Sequence, residues 1–555
     1  MNTRTICNPI NLNYRYVRKR YGREAADPAV CIYKDEYYLF PSLCEGYYVS
    51  GNLVDWEYIR VDLEKFPQFD SYAPATCVVG DKMYITHSDC GNIMVSDNPR
   101  DPDSWITIGK PYDWYDPSML YDEGYMYVYE GLECNGGLSV CKLDPNDNMK
   151  LVEGPVRTVF CDRKNRGHER RGNNNENDTE TWFEGPWAVK HNGKYYLFCA
   201  APGTEHDTYA NSCFVADAPM GPFEYCENSP VTFKSTGFLR GCGHGCVFRD
   251  LQGKWWSAQT NAISVNHPFE RRVSLYPATF TEDGKFYSNT LRSDYPMLYP
   301  TDNPDPFNQP TVDWHILSRG KKATASSTLD EAHAPNFAAD EYMASWWSAK
   351  TADVGEWLAL DLGKVYTVTA VQVNFADQGV VKNTGGRSNV KYGYQFVLEV
   401  SDDGENWRIL VDRSENEKDM PHDYIQLEEE TYFRHIRITN CGNVPAGSLF
   451  AISDLRVFGP ASGDAPEKAP EFKVVRGEDT RDMFVTIDQM SDAQGYYIRL
   501  GIDPNELYTH YLVTEKELQN NTFRVGCLNS FSTYYVTVDA FNEGGVTSGT
   551  KIIKL

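Results

Sequence analysis

Three carboxylates in this chain have the type and surroundings that acid–base chemistry needs. Asp27 stands in AADPAV, Asp116 in YDPSML and Glu184 in FEGPWAVKHNGKYYL. Each opens a segment of one kind: a small or acidic residue, often beside a proline, then a short apolar run, a polar turn and an aromatic-rich strand. Two carboxyl groups can divide a reaction between them. One, ionised, takes a proton from water, and the other, protonated, gives a proton to a leaving oxygen. Where a water must fit between them, the pair stands about 6.5–9.5 Å apart. A lone Asp-Pro or Glu-Gly-Pro means nothing, because acids also cap turns. Three of them in repeated surroundings carry weight.

Residues so far apart in sequence can meet only if the elements that carry them repeat. Five segments share the pattern, at 26–40, 72–86, 115–129, 183–198 and 242–257. Each reads as two strands joined by a tight turn, such as Asp122-Glu123-Gly124, Asn192-Gly193 or Gln252-Gly253. A spacing of roughly 40–70 residues between starts leaves room for four strands per unit. The repeats therefore predict a five-bladed β-propeller over residues 1–310. In that fold the innermost strand of each blade lines a central channel, so equivalent positions converge there.

A Pro-rich stretch at 295–310 reads as a linker. Residues 311–461 then show the alternating strands of a β-sandwich. After a second linker, residues 468–555 carry short strands with the spacing of an immunoglobulin-like sandwich. No long amphipathic helix is visible, and the fold class is all-β.

The 555 residues carry a net charge of −25 with 14% aromatics. The charge comes without a basic stripe, which argues against nucleic acid and against an anionic membrane surface. A neutral glycan fits, and aromatic rings stack on sugar faces. The N-terminus shows no apolar signal region, and no stretch approaches the roughly 20 apolar residues of a membrane span. The 15 cysteines form no disulfide or zinc pattern. A reducing cytoplasm is the expectation, with export the alternative if a signal has been trimmed. Oligomeric state is not legible.

These residues resemble glycoside hydrolase family 43. The likeness spans about residues 8–300 and rests on the three carboxylate signatures occurring in order. It implies a five-bladed propeller that inverts the anomeric centre, with Asp27 as general base, Asp116 as the carboxylate that tunes and orients the acid, and Glu184 as general acid. It also implies an enzyme of β-xylosidase or α-L-arabinofuranosidase type, and the long inter-blade loops, which tend to close one end of a cleft, predict exo action. Galactofuranosidase, galactanase and arabinanase remain alternatives, as does a non-enzymatic glycan-binding propeller. Asp116 is expected to hold Glu184 protonated by like-charge repulsion.

The same resemblance nominates further residues. His244 in GCGHGC is expected to contact substrate, or to support a central calcium or its waters. Arg271 in FERRVSLYP is expected to reach substrate or carboxylates. Arg272 would then point away, since strand neighbours alternate. Tyr72 takes a place where many relatives carry tryptophan. Trp187 is expected to wall the pocket or fill the core. The polar loop 161–182 offers His168, Glu169 and Arg170 as possible sugar contacts. Residues 315–459, through KKATASS, EWLALDLG and ISDLRVFG, resemble the coagulation factor five/eight type C (discoidin) domain. That likeness implies either a carbohydrate-binding module, with Trp346 or Trp347 on sugar, or a module that only packs on the propeller. It also nominates Asp340 and Asp454 as calcium ligands, with Tyr342 departing from the usual residue. The chemistry itself needs no cofactor. Residues 468–555 resemble a fibronectin type III domain through YYVTVDAFNEGGV. SDDGENW at 401–407 matches a sialidase Asp-box but occurs once, outside the propeller, and reads as a turn.

Overall fold

The computed structural model describes residues 3–16, 23–133, 135–263, 267, 269–380, 393–445 and 447–555. Among these, five four-stranded antiparallel sheets follow one another along the chain, each a simple meander. The first blade runs Ala29–Tyr33, Glu36–Phe40, Gly46–Ser50 and Glu57–Arg60. The inner strands of the next four are Ala75–Val79, Ser118–Asp122, Glu184–His191 and Gly243–Arg249. Each inner strand packs on the inner strands of the blades before and after it, and the fifth packs on the first. The ring is closed, as the repeats predict.

Local sequence explains the blades. Aromatic and β-branched residues fill the strands, and two-residue loops at φ > 0 turn the hairpins. Lys34-Asp35, Glu123-Gly124 and Asn192-Gly193 are such loops, closing the pairs Tyr33–Glu36, Asp122–Tyr125 and His191–Lys194. The fifth blade departs from this pattern. Its loop spans 250–254, and Asp250 accepts from the backbone of Gln252 and Lys254.

Residues 314–460 form one eight-stranded sheet that wraps around its own core. Its two long strands, Trp357–Phe375 and His422–Asn440, shift register between Asp361 and Tyr366 and again between Val368 and Ala370. Such breaks let a strand bend from one layer into the other. Residues 472–554 make two further sheets. Phe472–Arg476, Met483–Ile487 and Thr522–Val525 form one. The other is built on Gly495–Gly501 and Tyr535–Asn542. Their shared core takes in Ala210 and Phe233 of the propeller, so the third module is packed onto the fourth blade. The motif at 401–407 is a hairpin turn in which the Asp403 carboxylate accepts from the backbone of Glu405 and Asn406. No helix among the described residues is long and apolar enough to cross a membrane.

Candidate active site

Every blade opens on a residue in the left-handed region: Asp27 (φ 48°), Ala73 (43°), Asp116 (45°), Gly185 (56°) and His244 (40°). Proline follows in the first four and glycine in the fifth. For an L-residue this backbone costs about 1–2 kcal/mol, so the surroundings must hold it. Side chains from the preceding blade do so. Asp27 N donates to Thr260 Oγ1 at 2.7 Å, Ala73 N to Ser42 Oγ at 2.7 Å, Asp116 N to Ser88 Oγ at 3.0 Å and His244 N to Asn211 Oδ1 at 3.2 Å. Asp27 and Asp116 thus occupy equivalent positions. Glu184 does not: it precedes the turn residue Gly185, and its equivalents are Tyr72 and Tyr115. The expectation of three equivalent carboxylates is corrected to two plus one.

Asp27 is buried and heavily bonded. Ser42 Oγ donates to its Oδ2 at 2.6 Å, and Arg271 Nη1 to its Oδ1 at 3.1 Å. Burial pushes this carboxyl up, but the charge of Arg271, the imidazole of His244 and the Ser42 hydrogen bond together hold it below the usual range. The rest of the Arg271 fork grips Glu24, with Nε at 2.7 Å and Nη2 at 2.5 Å from Oε1. Arg272, next along the strand, points the other way, so the alternation reading singles out the right arginine.

Glu184 is the partly open member. Tyr209 donates to its Oε1 at 2.6 Å. Burial and then the charge of Asp27 raise it to about 7, against the opposing pulls of Tyr209 and Arg271. Asp116 is raised well above its ordinary value by burial, with the charges of Glu184 and Asp27 adding. The charge of Glu184 is among the causes that raise Asp116, so the two carboxyls sit close enough to disfavour each other's ionisation. His244 lies between the two equivalent acids, with Nδ1 3.4 Å from Asp27 Oδ1 and 3.8 Å from Asp116 Oδ2. Its ring fills the space where a Cβ on Gly185 would sit, so that position must be glycine. The site can therefore offer one carboxyl that favours its charged form, Asp27, beside another raised to about 7, Glu184.

Other nominated residues fall elsewhere. Tyr72 is half-buried, and its carbonyl accepts from Ser88 N at 2.9 Å. Of the two readings of Trp187 the structure has the core: the side chain is buried in the main cluster and donates from Nε1 to Val247 O at 3.0 Å. His168, Glu169 and Arg170 are corrected from sugar contacts to structure. All three are buried: His168 meets Ser212 Oγ at 2.8 Å, and Arg170 reaches Asp479 and Asp482 of the third module.

Among the described residues no three His, Cys, Asp or Glu side chains cluster, and His244, Asp340 and Asp454 each have protein neighbours. Asp340 accepts from Ser345 Oγ and Tyr342 N, and Asp454 accepts from Glu341 N at 2.9 Å. Burial raises Asp454 well above the ordinary carboxylate range. Trp347 is core and Trp346 is partly exposed, its Nε1 on Gln378 Oε1 at 2.9 Å.

Glu24, Ser42, Ser88, Thr260, Asn211 and Tyr209 escaped the sequence reading. Ser42, Ser88 and Thr260 had a signal: they recur 15 or 16 residues after Asp27, Ala73 and His244. Glu24 and Tyr209 had none.

Residues 22–286 match the model for glycosyl hydrolases family 43, and residues 322–449 the model for the F5/8 type C domain. A curated relative, a xylan 1,3-beta-xylosidase from Vibrio sp, is 24% identical over 304 residues. The alignment covers 48% of this chain and 51% of the relative, so the chain spans about half the length of the curated relative it matches. Among solved structures, one glycoside hydrolase shows 20% identity and a TM-score of 0.45, covering 80% of this chain and 99% of its own. Bacteroides ovatus Xyloglucan PUL GH43B shows 15% identity and a TM-score of 0.43, covering 99% and 98%.

Proposed function

Residues 22–286 form a glycosyl hydrolases family 43 domain, and from that premise we propose that the chain is an inverting, exo-acting glycosidase. Asp27 is the general base, Glu184 the general acid, and Asp116 the carboxylate that tunes and orients the acid. One observation carries the reading. The two carboxyls are pushed apart by different local causes: Arg271 and Ser42 lower Asp27, while burial and the charge of Asp27 raise Glu184 to about 7. Inverting hydrolysis needs that division.

In the reaction, Asp27 takes a proton from water as the water attacks the anomeric carbon. The glycosidic bond breaks, and Glu184 gives its proton to the leaving oxygen. Arg271 and Ser42 keep Asp27 charged, and Tyr209 orients the Glu184 carboxyl. The released sugar is a pentose, of β-xylosidase or α-L-arabinofuranosidase type. The name of the Vibrio relative supports the xylosidase side. No step requires a metal. The strand order of residues 472–554 supports reading the third module as fibronectin type III-like.

The test is a panel of aryl glycosides, with β-D-xyloside, α-L-arabinofuranoside and β-D-galactofuranoside, beside Asp27→Ala and Glu184→Gln. Release from one substrate, lost in Asp27→Ala, with the product's anomer inverted by NMR, is the expected result. Activity surviving in both variants, or retention at the anomeric carbon, would sink the assignment.

A further inference from the structure

The F5/8 type C module touches the propeller at the backs of two active-site strands. Arg23–Glu24 and Arg271–Phe280 lie side by side, with Ala25 N donating to Arg271 O at 3.4 Å. Side chains alternate on both. Glu24 and Arg271 face inward and meet over Asp27. Arg23 and Arg272 face outward, and the second module takes hold of both.

Arg272 is fully buried, and four contacts occupy its fork. Nε donates to His422 Nε2 at 2.7 Å, Nη1 to Arg23 O and to Arg271 O at 3.0 Å, and Nη2 to Glu270 Oε1 at 3.2 Å. It therefore ties the carbonyl of Arg271 to the neighbouring strand. Among the described residues His422 is the hydrogen-bond partner that the other module supplies. As an acceptor at Nε2 it must carry its proton at Nδ1, and Nδ1 lies 2.9 Å from Asn374 Oδ1. Arg23 donates from Nε to Asp377 Oδ2 at 2.6 Å and pairs with Asp419, and Tyr394 donates to the other oxygen of Asp377. The chain of contacts runs without a gap from the second module's central strand, through Asn374, His422 and Arg272, to the peptide of Arg271.

We infer that the F5/8 type C module is a working part of the hydrolytic site, with His422 a positioning residue that sets Arg271, and through it Asp27, from behind. Removing the His422 ring leaves a buried guanidinium donor without its acceptor. Arg272 then shifts to find another, and it takes the Arg271 carbonyl with it. The inference rests on the reading of Asp27 as the base.

The experiment is a double-mutant cycle in the full chain, on whichever aryl glycoside of the panel the wild type cleaves. The variants are His422→Ala, Arg271→Lys and their combination, with His422→Gln and Asp27→Ala alongside. For His422→Ala, kcat should fall between about 10- and 100-fold, with KM little changed. In the Arg271→Lys background the same substitution should cost much less, because the group it acts through is already gone. His422→Gln, which keeps an acceptor for Arg272 and a donor for Asn374, should recover most of the rate. Melting curves on each variant separate loss of fold from loss of rate. An equal loss in both backgrounds, or none in the wild type, would overturn the inference while leaving Asp27 in its role. An Asp27→Ala variant as fast as wild type would overturn the underlying reading, and this inference with it.

Discussion

Arg271 holds Asp27 and Glu24 in one grip, one nitrogen 3.1 Å from the first carboxylate and two on the second. Only a planar fork can bridge two acids in this way, and lysine presents a single point charge. Arg271→Lys is therefore expected to lower kcat/KM by about 100-fold. Its acid limb should also move. Arg271 depresses the Asp27 carboxyl, so weakening it raises the pH below which the base is protonated and silent. Rate against pH between 3 and 7 checks this, and an unmoved acid limb would mean that Arg271 does not tune the base.

The alkaline limb belongs to Glu184, raised to about 7. A general acid must be protonated, so kcat/KM should fall as pH climbs through about 7. The Tyr209 hydroxyl favours the charged form of Glu184 and pulls its value down. Tyr209→Phe should therefore push the alkaline limb to higher pH. A shift to lower pH would reverse the role given to this hydrogen bond.

Glu184→Gln should be selective. Glycosides with poor leaving groups should slow by about 10²–10⁴-fold, the usual contribution of a general acid. Aryl glycosides whose phenols leave without help should slow far less. Asp27→Ala should slow both classes alike, because water still needs its base. A series of aryl leaving groups of graded acidity reads the difference as a slope.

Arg170 predicts a stability effect away from the chemistry. It is buried between the loop before Glu184 and the third module, bonded to Asp479, Asp482 and Gly526 O. Breaking such a buried pair costs about 3 kcal/mol. Arg170→Ala should lower the unfolding free energy by that amount, read as a lower denaturant midpoint at unchanged slope. Because the core is shared through Ala210 and Phe233, propeller and third module should still unfold in one transition. Two separate transitions would show that the modules are independent.

The sequence made the repeats visible because each is a local hairpin with its own turn chemistry, and the blade order follows from chain order. The carboxylates were legible because they sit beside prolines at the repeat starts. Trp187 was ambiguous because an aromatic on an inner strand can face either way, and only the packing of Val247 and its neighbours decides. The loop holding His168, Glu169 and Arg170 reads as open to sugar because polarity does not reveal a partner more than 300 residues downstream. The upward push on Asp116 lay beyond reach for the same reason: it depends on burial and on which charges the fold brings near.

Ala73 holds the same backbone pose as Asp27, Asp116 and His244, stitched to the blade before it by the same kind of bond, yet it presents only a methyl group. The frame that aims a functional group is thus separate from the group itself. A propeller grown by duplication would inherit five such frames at once. On such a backbone a single substitution at Ala73 would aim a new functional group.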